Sequence, residues 1–164
     1  MSRGFVKEDD LEHAGTDLPE RPISALPNYV TNNGLVQLEQ NAKALSAERL
    51  ILLPLKDDQA AMQKLAVIER DLRYVSARLN TAILSAPPLN NEMVLFGATV
   101  AVEDEAGKPH IFTIVGDDEA DIKLNKVSWG SPIAKALIKQ KVGDIVVWSR
   151  PAGNMTLEII KISY

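Results

Sequence analysis

Cysteine is absent and histidine is scarce, with only His13 and His110. The first absence excludes disulfides, thiolate chemistry and cysteine-built zinc sites, and the second argues against a histidine-rich metal centre. Any metal would have to rest on carboxylates. No apolar run approaches the roughly 18–20 residues that span a bilayer, and the amino-terminal MSRGFVKEDDLEH lacks the apolar stretch of a signal peptide. The expectation is a cytoplasmic protein with no membrane partner. A basic stripe is missing too. The net charge is −4, and the segments 1–30, 31–85 and 86–164 carry 3, 7 and 8 basic residues against 6, 6 and 10 acidic ones. Duplex binding draws much of its affinity from neutralised phosphates, so any contact with DNA or RNA is expected to be indirect, through another protein.

What is present suffices for a real core: 164 residues, 46% of them hydrophobic, fit one ordinary domain or two small ones. Three segments differ in pattern. Residues 1–30 hold Pro19, Pro22 and Pro27 among polar neighbours and read as an extended arm. The competing reading is a strap packed on a partner or on the body through Leu18, Ile23 and Leu26. In residues 31–86, Leu35, Leu38, Ala42, Leu45, Arg49 and Leu52 recur at alternating spacings of three and four. Ala61, Leu65, Ile68, Leu72, Val75, Leu79 and Ala82 repeat the pattern, which ends before Ser85 and the Pro87-Pro88 pair. Thr31, Asn32 or Asn33 can cap the first helix. Matching seams predict an antiparallel coiled-coil hairpin with its turn at Lys56–Gln59, so Asp57 and Asp58 sit at the tip. Two readings compete there: a carboxylate pair that recruits a cation, or a capped turn whose aspartates complement the second helix's dipole.

Residues 87–164 switch to period two. MVLFGATVAVED reads as a strand, AGKPH as a turn and IFTIVGDD as a second strand, with His110 an ordinary strand residue. Ser131 followed by Pro132 opens a short helix, PIAKALIKQ, and IVVWS and MTLEIIKISY give further strands. An α+β architecture follows: a hairpin of helices, then a small antiparallel sheet packed on one helix. Trp129 reads as core or as an exposed anchor. The carboxylates Asp117, Asp118, Glu119 and Asp121 read as a solvated loop or as a cation site.

FGATV, IVGDDEAD, SPIAKALI, KVGD and the terminal EIIKISY together resemble the carboxy-terminal domain of the bacterial GreA/GreB transcript cleavage factors, and RDLRYVSARL resembles the returning helix of their coiled coil. The resemblance implies an FKBP-like globular domain docked at the rim of the secondary channel of RNA polymerase, with the coiled coil entering the channel. Acidic tip residues then share a magnesium ion with the polymerase, which itself hydrolyses backtracked RNA. It points to Gly130, Ser131, Pro132 and Ile133 as the polymerase-binding loop, with Gly130 standing where GreB has an aspartate. The tip departs from the family. Its expected glutamate and aspartate fall near Pro54 and Ile51, and the hairpin is about fourteen residues shorter, removing roughly 10 Å of reach at about 1.5 Å per residue and two helices. The resemblance therefore implies either a monomeric elongation regulator that assists cleavage through Asp57 and Asp58, or one that occupies the channel without stimulating cleavage. Outside that class stand a coiled-coil adaptor and an FKBP-like prolyl isomerase. The isomerase needs an aromatic-lined pocket, with Phe96, Phe112, Trp129, Trp148 and Tyr164 the aromatics on offer.

Overall fold

Helix α1 (Asn32–Leu52) starts where a hydroxyl is available to cap it: the Thr31 Oγ1 accepts the Gly34 N–H at 3.0 Å. The computed structural model describes residues 18–164; His13 and residues 1–17 of the arm lie outside the described residues. Two units make up the chain. One comprises residues 18–23 with Leu38–Asn80, and the other Ser24–Gln37 with Thr81–Tyr164.

In the first unit, α1 meets α2 (Gln59–Thr81) along the expected seam. Leu52, Ala61, Leu65 and Ile68 form a buried cluster, with Leu45 and Leu72 packed against it. The charged interruption in the seam is met from the other helix, because Arg49 Nε donates to Glu69 Oε1 at 3.1 Å. Lys64 pairs with Glu48 at 2.7 Å on an exposed flank, where such a pair contributes little. The described arm residues bind this unit through charge, while Leu18 is half-buried. Arg73 donates to both carboxylate oxygens of Glu20, and the Arg21 guanidinium lies 3.8 Å from the centre of the Tyr74 ring. Ile23 is left exposed.

Helix α2 ends sooner than the seam suggested, at Thr81, and Ala82 is not part of it. The backbone has other partners there. Ile83 N–H donates to the Asn28 carbonyl at 2.8 Å and Ser85 N–H to Val30 at 3.0 Å, so strand β2 (Ile83–Leu84) pairs in parallel with β1 (Tyr29–Val30).

The second unit is built on a five-stranded sheet ordered β5-β4-β3-β7-β6. The strands are β3 (Thr99–Asp104), β4 (Pro109–Val115), β5 (Lys126–Ser128), β6 (Ile145–Trp148) and β7 (Met155–Ser163). Alternation puts Val100, Val102, Ile114, Leu157 and Ile159 on one face, where Ile133, Ala134 and Leu137 of helix α3 (Pro132–Leu137) close the core. The α+β class matches the sequence expectation. The sheet is not wholly antiparallel, however: β5, unforeseen in the sequence, runs parallel to β4, because residues 116–125 carry the chain back before it pairs again. Strand β3 also begins later than expected. Met93–Ala98 bond outside the ladder, with Lys139 N–H donating to Val94 O at 2.7 Å and Tyr164 Oη to Met93 O at 2.7 Å. Helix α3 stops at Leu137 rather than Gln140, since Ile138 is extended and Lys139 is left-handed at φ 69°.

The turn between β3 and β4 is organised by Asp104, whose Oδ1 accepts the Ala106 and Lys108 N–H groups while Oδ2 meets His110 Nε2 at 3.0 Å. His110 is thus a strand residue with a turn partner. Its hydrogen bond, followed by the backbone N–H groups, holds the Asp104 carboxyl below the usual aspartate range. A depressed carboxyl contributes stability above the unfolded aspartate pKa of about 3.9, lost as the pH falls through the folded value. Denaturation midpoints measured from pH 6 down to pH 2 are therefore expected to fall more steeply for the native chain than for Asp104→Asn. Parallel curves would contradict this.

Candidate functional site: a capped hairpin turn, a loop and a groove

The turn between α1 and α2 spans residues 53–58 and contains both tip aspartates, which are exposed. Asp58 is the cap of α2: its Oδ1 accepts the Ala60 N–H at 2.9 Å and the Ala61 N–H at 3.2 Å. Ile51, at one position where the resemblance expects a carboxylate, is exposed, as are its neighbours Leu50 and Leu55. The end of the hairpin therefore presents apolar Leu50, Ile51 and Leu55 beside charged Lys56, Asp57 and Asp58. Among the described residues no group of three or more histidine, aspartate or glutamate side chains is arranged to hold a metal. Two aspartates, one committed to backbone N–H groups, do not fit a magnesium site of the chain's own, since magnesium demands near-octahedral oxygen coordination. Asp58→Ala is expected to cost about 1 kcal/mol in urea denaturation, as loss of a cap does, while Asp57→Ala changes little.

The loop before α3 lies at the end of β5. Ser131 N–H donates to the Ser128 carbonyl at 2.9 Å, closing a tight turn, and Trp129 N–H reaches Val115 O at 2.9 Å. The Ser128 hydroxyl donates to Asp117 and accepts the Gly130 N–H at 3.3 Å. Ser131 caps α3 through the Ala134 N–H, and Pro132 occupies the first turn, where its missing N–H costs nothing. The sequence pattern thus translates directly into geometry.

A groove of about 790 Å³ opens beside this loop. Ser131 and Pro132 form one edge, while Phe112, Val127, Ile133 and Trp148 contribute apolar wall. Phe112 and Trp148 meet edge to face with ring centres 5.5 Å apart. Ser131, Pro132 and Ile133 therefore come together at one site, although the Ile133 side chain is buried and offers only its groove-facing surface. Gly130 is not on the groove. It lies under Leu26 of the arm, whose Cδ1 would be 2.6 Å from a Cβ built on it. Trp129 is half-buried, with Tyr29 edge to face at 5.2 Å, which sets it between the two readings of core and anchor.

The acidic cluster is not a solvated loop throughout, and among the described residues its carboxylates are not grouped to hold a metal. Glu119 is buried; its carboxylate accepts from the Thr31 hydroxyl and from Asn33 Nδ2 at 3.0 Å, and Lys126 Nζ approaches at 3.5 Å. Asp117 accepts from Ser128, and Asp121 accepts the Lys123 N–H at 3.0 Å as the cap of a short 3₁₀ turn, Ile122–Leu124. Sequence reasoning named Glu119 within the acidic cluster but missed its burial, because its partners are 86 and 88 positions away. Among the described residues no helix is long and apolar enough to cross a membrane.

A seam-paired helical hairpin, a mixed sheet backed by one short helix, and a proline-started loop bordering a groove define a two-unit α+β protein. The family model for the carboxy-terminal part of the transcription elongation factors GreA/GreB matches residues 89–164. A GreB of Neisseria meningitidis serogroup B is 38% identical over 148 residues, covering 88% of this chain and 81% of that protein. A GreA of Thioalkalivibrio sulfidiphilus is 44% identical over 108 residues, 64% of this chain and 68% of that one. The crystal structure of GreA factor homolog 1 (Gfh1) from Thermus thermophilus is 26% identical, with a TM-score of 0.42 over 85% of this chain and 100% of that one. The chain belongs to the GreA/GreB family of transcription elongation factors.

Proposed function

We propose that this chain is an accessory elongation factor that binds RNA polymerase as a cytoplasmic monomer, docking through the Gly130–Ile133 loop while its hairpin occupies the secondary channel. Contact with RNA and DNA is then indirect, within the elongation complex. The observation that carries the docking role is the Ser131-capped loop edging an apolar groove, a fixed turn beside a surface able to receive an apolar side chain. Family membership supports the role in elongation. The hairpin end supports regulation without stimulated cleavage. Apolar Ile51 and Pro54 stand where carboxylates are expected, and Asp58 caps a helix.

The test is a stalled, backtracked elongation complex incubated with the protein and magnesium. Binding is expected, with 3′ RNA fragments released no faster than by polymerase alone. Fragments that appear with the native chain and vanish with Asp57→Ala/Asp58→Ala would instead give the pair a cation-recruiting role. Pro132→Glu, exposed and outside the core, is expected to weaken binding at least tenfold, in the range of interface hot spots.

One observation favours a second reading. Phe112 and Trp148 do form an aromatic wall beside Ile133, a surface on which a prolyl ring can pack, as a prolyl isomerase requires. Robust turnover of a proline peptide, lost in Trp148→Ala, would establish it.

A further inference from the structure

Gly130 has no side chain, and the space one would claim is taken from elsewhere in the chain. A Cβ on Gly130 would lie 2.6 Å from Leu26 Cδ1, so Leu26 packs directly over the backbone of the loop. Yet Leu26 is 41% exposed: it covers the glycine and still presents a flank to solvent, in a loop whose Pro132, two residues on from that glycine, is exposed as well. This segment of arm is anchored. The Leu26 N–H is taken by Ser24 Oγ at 3.2 Å, the Asn28 carbonyl accepts from Ile83, and Tyr29 packs edge to face on Trp129 and tilted, at 5.8 Å, against Phe96. An apolar side chain that already rests on the loop, on a backbone held from Asn28 onward, loses less entropy when a second surface covers it than one on a free strand would.

We infer that Leu26 is part of the docking surface: the arm supplies, in place of a side chain at position 130, an apolar contact that the partner buries together with Pro132. This rests on the docking role given to the loop under the proposed function, and the occupant is the same polymerase surface, which must offer an apolar group there. Gly130 is the permissive half of the pair, since a side chain there makes the tip of Leu26 give way.

The experiment measures affinity for core RNA polymerase with the full-length chain. Leu26→Ala and Gly130→Ala are each expected to weaken binding about tenfold, Leu26→Met to keep it, and the double variant to bind no worse than Leu26→Ala alone. Thermal midpoints of the Leu26 variants are expected to stay within about 2 °C of the native chain, separating a lost contact from a lost fold. Native affinity in both Leu26 variants, with Pro132→Glu still impaired, overturns the inference while leaving loop docking intact. Tighter binding of Leu26→Ala also overturns it, showing a cover rather than a contact. Losses that multiply in the double variant overturn the coupling of the two positions. No binding by the native chain overturns the docking role itself and this inference with it.

Discussion

Leu137→Ala is expected to lower the stability of the second unit by about 2–5 kcal/mol, the range for truncating a fully buried leucine. Leu137 has no exposed surface and packs with Ile133 and Ala134 against the sheet. Helix α3 is only 6 residues long, too short to persist on backbone bonds alone, so its apolar face is what keeps it in place. Because Ser131 and Pro132 open that helix, loosening it also loosens the loop. The expectation is a lowered urea midpoint and weakened polymerase binding. A Leu137→Ala chain with native stability would mean that the helix is held chiefly by its cap.

Gly116→Ala is the second large effect. A Cβ there would overlap the carbonyl oxygen of Tyr29, and the obstacle is backbone, which cannot turn aside as a flexible side chain can. Tyr29 is itself fixed by the β1–β2 pairing and by a bond from its N–H to Pro27 O at 3.0 Å. Overpacking of this kind costs about 1–3 kcal/mol, and the upper end is expected because neither side can relax. Thermal unfolding followed by tryptophan fluorescence reads it directly, since Tyr29 packs on Trp129. An unchanged midpoint would show that β1 shifts freely.

Much of the fold was legible because it rests on local periodicity. The helical seams, the capping Ser131 with Pro132 in the first turn, and the turn around Asp57 and Asp58 are each written in neighbouring residues. What escaped depends on distant partners. Ala82 fits the seam, yet the helix ends at Thr81 because the next backbone groups are claimed by Asn28 and Val30, far earlier in the chain. Strand β5 is three residues long and carries no alternation strong enough to declare itself. Arg78 is buried within a helix whose pattern offered only apolar positions for that face. At the site, Ser131, Pro132 and Ile133 were found from their order in the chain. The groove wall of Phe112 and Trp148, the buried Glu119 and the Leu26–Gly130 contact were not, because each joins segments that only folding brings together.

The second unit is discontinuous, Ser24–Gln37 being completed only by Thr81–Tyr164. On the ribosome this fixes an order of events. The hairpin segment Leu38–Asn80 emerges whole and can pair its seams early, whereas Tyr29, Thr31 and Asn33 must wait for Ile83 and then for Glu119 before their bonds can close. The carboxylate that secures the first turn of α1 is thus made only after the hairpin and strands β2 to β4, and a pause between Ile83 and Glu119 leaves β1 paired but the threonine hydroxyl without its acceptor.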